Sequence, residues 1–166
     1  MRNTGDRPPK KSRRPEATPA QRALALLVRR EHSQKELTRK LLARGIARED
    51  ADAAVGRMAQ AGWQDDTRFA CSLARTRATA GYGPLHIRAE LATHGIGSDA
   101  IEAAFTALAE AGEDGWRTRG REWVERRFGL TPESAPGVQR KAADFLARRG
   151  FDGDTIRAAI RGLPED

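Results

Sequence analysis

One cysteine in 166 residues, Cys71, excludes an internal disulfide framework and a cysteine-based zinc site. No apolar run approaches the ~20 residues needed to span a bilayer. The longest, residues 23–28, follows basic, proline-rich sequence and has no cleavage pattern after it. No membrane partner is expected, and cytoplasm is the expected compartment. Runs of β-branched residues and strict polar–apolar alternation are scarce, while alanine and leucine are plentiful, which predicts an all-α protein. Chemistry-bearing motifs are missing as well: there is no glycine-rich phosphate loop, no H-E-x-x-H and no nucleophile elbow. His32, His86 and His94 are scattered along the chain, and no metal site is expected from them. The expectation is a binding protein without cofactor or metal, not an enzyme.

What the chain does have is a repeat. Aligned on Gly45, Gly95 and Gly150, the segments QKELTRKLLARGI (34–46), PLHIRAELATHGI (84–96) and QRKAADFLARRGF (139–151) fall into register. The register continues past each glycine. Six residues on stand Ala51, Ile101 and Ile156; ten on stand Val55, Phe105 and Ile160; thirteen on stand Met58, Leu108 and Leu163. Those offsets are spaced i, i+4, i+7, one face of an α-helix. A helical period of about 50 residues predicts tandem modules. The predicted fold is three tandem three-helix repeats forming an elongated array, straight or curved, over 18–63, 64–114 and 115–166, behind a disordered basic tail at 1–17.

Local signals place the helices. Thr18-Pro19-Ala20-Gln21 opens the first, and Ser33 with Glu36 reads as a capping box for the second. The third is expected from about Glu49 to Gln60. Asp65 and Asp66 invite a metal or acid–base reading, but they stand just before a helix, where carboxylates cap and favour the dipole. Gly81-Tyr82-Gly83-Pro84 breaks the chain and restarts it, and Ser98 or Asp99 is the expected cap of the helix after Gly95. Residues 129–138 read as a long break, with final helices over Lys141–Arg149 and Asp154–Gly162. Trp116 and Trp123, seven apart among arginines, form either a stacking platform for single-stranded bases or the core stripe of their helix; periodicity favours the core.

Charge is uneven. Residues 1–19 carry six basic and two acidic side chains, 20–63 nine and five, 64–114 four and eight, and 115–166 eleven and eight. Basic flanks around an acidic middle do not make the continuous stripe of a direct DNA binder; they suit a partner of mixed charge. A helical protein acting directly on DNA or RNA is the alternative reading.

DDTRFA (65–70), Arg77, Gly83-Pro84, the Ile87-x-x-Glu90-Leu91 spacing and HGI (94–96) together resemble the central motif of the RecX regulatory proteins. The resemblance covers about residues 20–163. It implies a regulator in DNA repair, recombination and the SOS response, and a monomer is expected. Such a regulator binds the RecA recombinase and its filament on single-stranded DNA, and it inhibits filament growth, strand exchange and RecA's coprotease activity. Weak electrostatic binding to single- or double-stranded DNA would accompany this. The exposed cations expected to meet RecA or DNA are Arg29, Arg30, Arg39 and Lys40 in the first module, Arg75, Arg77 and Arg88 in the second, and Arg126, Arg127, Arg140, Lys141, Arg148 and Arg149 in the third.

Overall fold

The computed structural model describes residues 16–162, and among them only helices occur. Apart from Glu16 and Ala17, the expected tail lies outside the described residues, as does Leu163. Three helices build around each of three apolar clusters. The first cluster joins α1 (Pro19–Leu27), α2 (Gln34–Leu42) and α3 (Arg48–Gln60) through Ala23, Leu26, Leu37, Leu41, Val55 and Met58. The second joins α4 (Asp66–Thr79), α5 (Pro84–Thr93) and α6 (Ser98–Glu110) through Phe69, Ile87, Leu91, Ile101 and Leu108. The third joins α7 (Trp116–Phe128), α8 (Pro136–Arg148) and α9 (Gly153–Arg161) through Val124, Leu130, Phe145, Leu146, Phe151 and Ala159. The repeat offsets therefore mark core positions, although Phe105, Ile156 and Ile160 are only partly buried.

Each middle helix stops in the same way. Gly45, Gly95 and Gly150 take φ of 79°, 74° and 83°. The residue after each glycine donates its N–H back to the helix, Ile46 to Leu41, Ile96 to Leu91 and Phe151 to Leu146. A β-carbon at positive φ is strained, and this is why the register glycine recurs.

The helix starts are less uniform. Thr18 and Gln21 form a complete capping box. Ser33 accepts the Glu36 N–H at 3.1 Å, but the Glu36 carboxylate does not return to the cap; it turns to Arg30, so the expected box on α2 is half formed. Neither Ser98 nor Asp99 caps α6. Gly97 holds that position with no side-chain bond, because both residues are already helical. The expected long break ends early: α8 starts at Pro136, whose fixed φ and missing N–H suit the first helical position, so Lys141 lies inside the helix.

The modules meet through their middle helices. The C-terminal turn of α8 abuts the N-terminus of α5: the Gly83 N–H donates to the Arg149 carbonyl at 2.8 Å, and the Leu85 N–H donates to that of Gly150 at 3.0 Å. With Pro84 between them, these bonds satisfy donors that a helix start leaves open. Both glycines permit the approach, since a β-carbon on Gly83 would fall 2.5 Å from the Gly150 carbonyl oxygen. At the other end of α5, the Lys35 ammonium at the start of α2 donates to the Thr93 carbonyl at 2.9 Å. The three middle helices thus run end to end in the order α8, α5, α2.

Candidate functional site

The second joint, between the second and third modules, is built around Arg149. Its guanidinium donates to the Ala80 carbonyl at 2.8 Å and lies over the rings of Tyr82, Trp123 and Phe145 at 4.6, 5.5 and 5.2 Å. Trp123 packs where a side chain on Gly81 would be. Trp116 touches both neighbouring cores, 6.2 Å from Phe105. The two tryptophans are mortar between modules, a placement closer to the core reading than to a base-stacking platform.

The first joint is held by side chains. Asp65 caps α4 as expected, accepting the Arg68 N–H at 2.9 Å. Asp66 does something else: its Oδ1 accepts the Gln34 N–H at the start of α2 and the Gln64 amide, at 3.0 and 2.8 Å. The Gln64 amide also donates to the His32 carbonyl, and Arg68 spans from Glu31 to the carbonyls of Gly62 and Trp63. Glu31 Oε2 and Gln64 Oε1 are buried without a partner among the described residues, each a cost that the backbone-bonded joint avoids. Sequence reasoning missed Lys35, Gln64 and Asp66 as joint residues, because their partners lie in another module and leave no periodic trace. Replacing Asp66 by alanine should lower stability by about 1–2 kcal/mol, since two donors lose their acceptor. Chemical denaturation checks this, with Thr67→Ala, an exposed neighbour, as the reference.

Beside this joint sits a buried charge cluster. Glu36, 6% exposed, receives two hydrogen bonds from Arg30 at 2.5 and 3.1 Å, with Lys40 at 3.7 Å and His32 at 3.9 Å. Burial pushes the Glu36 carboxyl up, but the Arg30 guanidinium and its other cationic neighbours outweigh that and hold it below the ordinary range. Burial lowers the pKa of His32, against a hydrogen bond to the Arg30 carbonyl that raises it. In the second module Arg77 forms a two-pronged pair with Glu90, both bonds at 2.6 Å, and that pairing holds the Glu90 carboxyl below its usual value.

The candidate cations separate by these contacts. Every cation of residues 64–114 has a carboxylate partner: Arg68 with Glu31, Arg75 with Glu113, Arg77 with Glu90, and Arg88 with Glu102. Arg30 is tied into the Glu36 cluster and Arg149 into the second joint. Arg126 lies over Trp123, and Arg127 over Phe128 and Phe145. Lys40 leans toward Glu36. Arg29, Arg39, Arg140, Lys141 and Arg148 are exposed and have no ion-pair partner among the described residues. The free positive charge thus sits in the outer modules, while Asp99, Glu110 and Asp114 are exposed in the middle one. No cluster of three potential metal ligands occurs among the described residues, and no helix among them is long and apolar enough to cross a membrane.

Comparison with known proteins agrees with this architecture. Three domain families match in tandem: the first three-helix domain of RecX over residues 21–58, the second over 65–104 and the third over 118–160. The chain is 58% identical over 167 aligned residues to a Regulatory protein RecX of Stenotrophomonas maltophilia (strain R551-3), covering the whole of both chains. It is also 58% identical over 159 residues to one of Xanthomonas axonopodis pv. citri (strain 306), covering 95% of this chain and 96% of that one. A crystal structure of RecX from Lactobacillus salivarius superposes with a TM-score of 0.68 at 23% identity, over 87% of this chain and 94% of the other. A second crystal structure, of regulatory protein RecX, gives 0.70 at 21% identity, over 85% of this chain and 70% of the other. Helix order, module count and full-length identity converge, and the chain belongs to the RecX family of regulatory proteins.

Proposed function

We propose that this protein regulates the RecA recombinase. It binds RecA and its filament on single-stranded DNA and restrains filament growth, strand exchange and coprotease activity. The relationship along the full length to proteins named Regulatory protein RecX supports a regulatory role. The observation that favours a protein–DNA filament over bare DNA is the charge layout. The middle module spends its cations on internal pairs and exposes carboxylates, which interrupts any basic stripe, while the outer modules keep free cations for phosphate or acidic protein surface. The internally paired cations of the candidate set have structural tasks, so the contact falls first on Arg29, Arg39, Arg140, Lys141 and Arg148.

RecA-catalysed ATP hydrolysis on single-stranded DNA, with this protein at substoichiometric amounts, is the test. Inhibition is expected, and the variant Lys141→Glu/Arg148→Glu should need about tenfold more protein for the same effect while melting as the parent does. Undiminished hydrolysis would remove the RecA reading. Affinity for bare DNA should fall steeply between low and physiological salt while filament binding survives. Parallel loss of both would favour the direct nucleic-acid reading.

A further inference from the structure

The third module carries a groove that the second closes with its own side chains. In the second module Arg88, seven residues before the register glycine, lies over the Phe105 ring at 4.1 Å and forms an ion pair with Glu102, seven residues after that glycine. Trp116, the first residue of α7 in the following module, lies against the same ring. In the third module the equivalent positions hold Ala143, Ile160 and Arg157. The plugging arginine has become a methyl group, the carboxylate has become a cation, and no further module follows within the described residues. What remains is an open groove of about 310 Å³ between α8 and α9, with Ala143, Ile156 and Ile160 on its floor and Arg140, Arg157 and Arg161 around it.

We infer that this groove is a docking site for an acidic, apolar peptide segment of a partner protein, one that presents a large apolar side chain to Ile156 and Ile160 and carboxylates to Arg140 and Arg161. The occupant follows from two features. In the second module the same position takes the aromatic side chain of the next module, so an aromatic or large aliphatic residue fits the floor. The counterpart rim was a neutral Arg–Glu pair; here Arg157 pairs with Asp154, but Arg140 and Arg161 have no carboxylate partner among the described residues, so the segment carries negative charge. Single-stranded nucleic acid suits the floor less well, because aliphatic side chains offer bases nothing to stack on. The inference concerns peptide recognition by this groove and holds independently of the RecA reading.

Ala143→Arg/Arg157→Glu tests it by rebuilding the plug of the second module. The probe is a fluorescent helical peptide of about 16 residues, with leucines and one tryptophan on one face and glutamates on the other. The full chain should bind it in the range of about 10 μM at moderate salt. The double variant should melt no lower than the parent and bind at least about tenfold more weakly, and a lysine version of the peptide should lose at least as much. Unchanged affinity in the double variant overturns the inference. So does displacement of the peptide by a single-stranded oligonucleotide at its own DNA-binding concentration, which would make the groove a nucleic-acid surface. A tenfold gain on deleting residues 163–166 would also overturn it, since the occupant would then be the chain's own Leu163-Pro164-Glu165-Asp166. Affinity is read without any recombinase, so failure here leaves the ATP-hydrolysis test unaffected, and the converse holds.

Discussion

Gly83→Ala is expected to cost about 2–3 kcal/mol, although alanine is the smallest possible addition. At φ −85° the backbone of Gly83 suits any residue, so no conformational strain enters. The cost comes from the neighbour: the new methyl would stand 2.5 Å from the Gly150 carbonyl oxygen, and backbone cannot rotate away as a side chain can. Relief requires α5 and α8 to separate, which stretches the bonds from Gly83 to Arg149 and from Leu85 to Gly150 and draws Arg149 out of its three rings. Gly97→Ala is the matched control. Gly97 is also the N-cap of its helix, at φ −72°, with nothing within 4 Å of a β-carbon, so its replacement should be nearly silent. Thermal melts should place the first variant about 5–10 °C below the second. Equal melting temperatures would mean the joint between the second and third modules is not stabilising.

Arg30→Ala should be comparably severe. Arg30 itself is 54% exposed, but the group it leaves behind is the buried carboxylate of Glu36. Removing one partner of such a pair costs about 3–5 kcal/mol when the other stays buried and uncompensated; Lys40 at 3.7 Å brings the expectation down to about 2–3. Glu36→Gln in the same background should recover most of the loss, because the charge that lacked a partner is then gone.

The pH dependence should change sign at this residue. In the parent, the folded-state pKa of Glu36 lies below its unfolded value, so its stabilisation is present above that value and disappears as pH falls. His32 has a folded pKa below 6.5; it disfavours the folded state as pH drops through that point, adding in the same direction. Without Arg30, burial dominates and the Glu36 pKa rises above its unfolded value, so acidification partly rescues the variant. The stability gap between parent and variant should therefore narrow from pH 7 towards pH 4.

The sequence made the core legible because each buried position is repeated. Ile101 and Leu108 were readable from Ala51 and Met58, and Gly95 from Gly45, since the same helix packs on the same face each time. The joints were not readable. Asp66 looks like a second cap beside Asp65, and nothing near it in the chain marks Gln34 as its partner. Arg149 looks like one more exposed cation beside Arg148; only the rings of Tyr82 and Trp123, brought in from the α4–α5 break and from α7, distinguish the two. The candidate contact set mixed joint residues with free ones for that reason: sequence shows charge, while pairing depends on distance. Periodicity records what a module does for itself. A contact between modules occurs once and leaves no pattern.

The joint at Gly83 also bears on how the chain comes off the ribosome. The second module is synthesised before the third, yet the amide donors that open α5 find their acceptors at Arg149 and Gly150, which emerge later. Until then water must hold those donors, and the middle of the protein waits, with its start unfinished, for the last-made part to close it. A pause in translation between the two would prolong that interval and show itself as protease sensitivity near Tyr82 in the nascent chain.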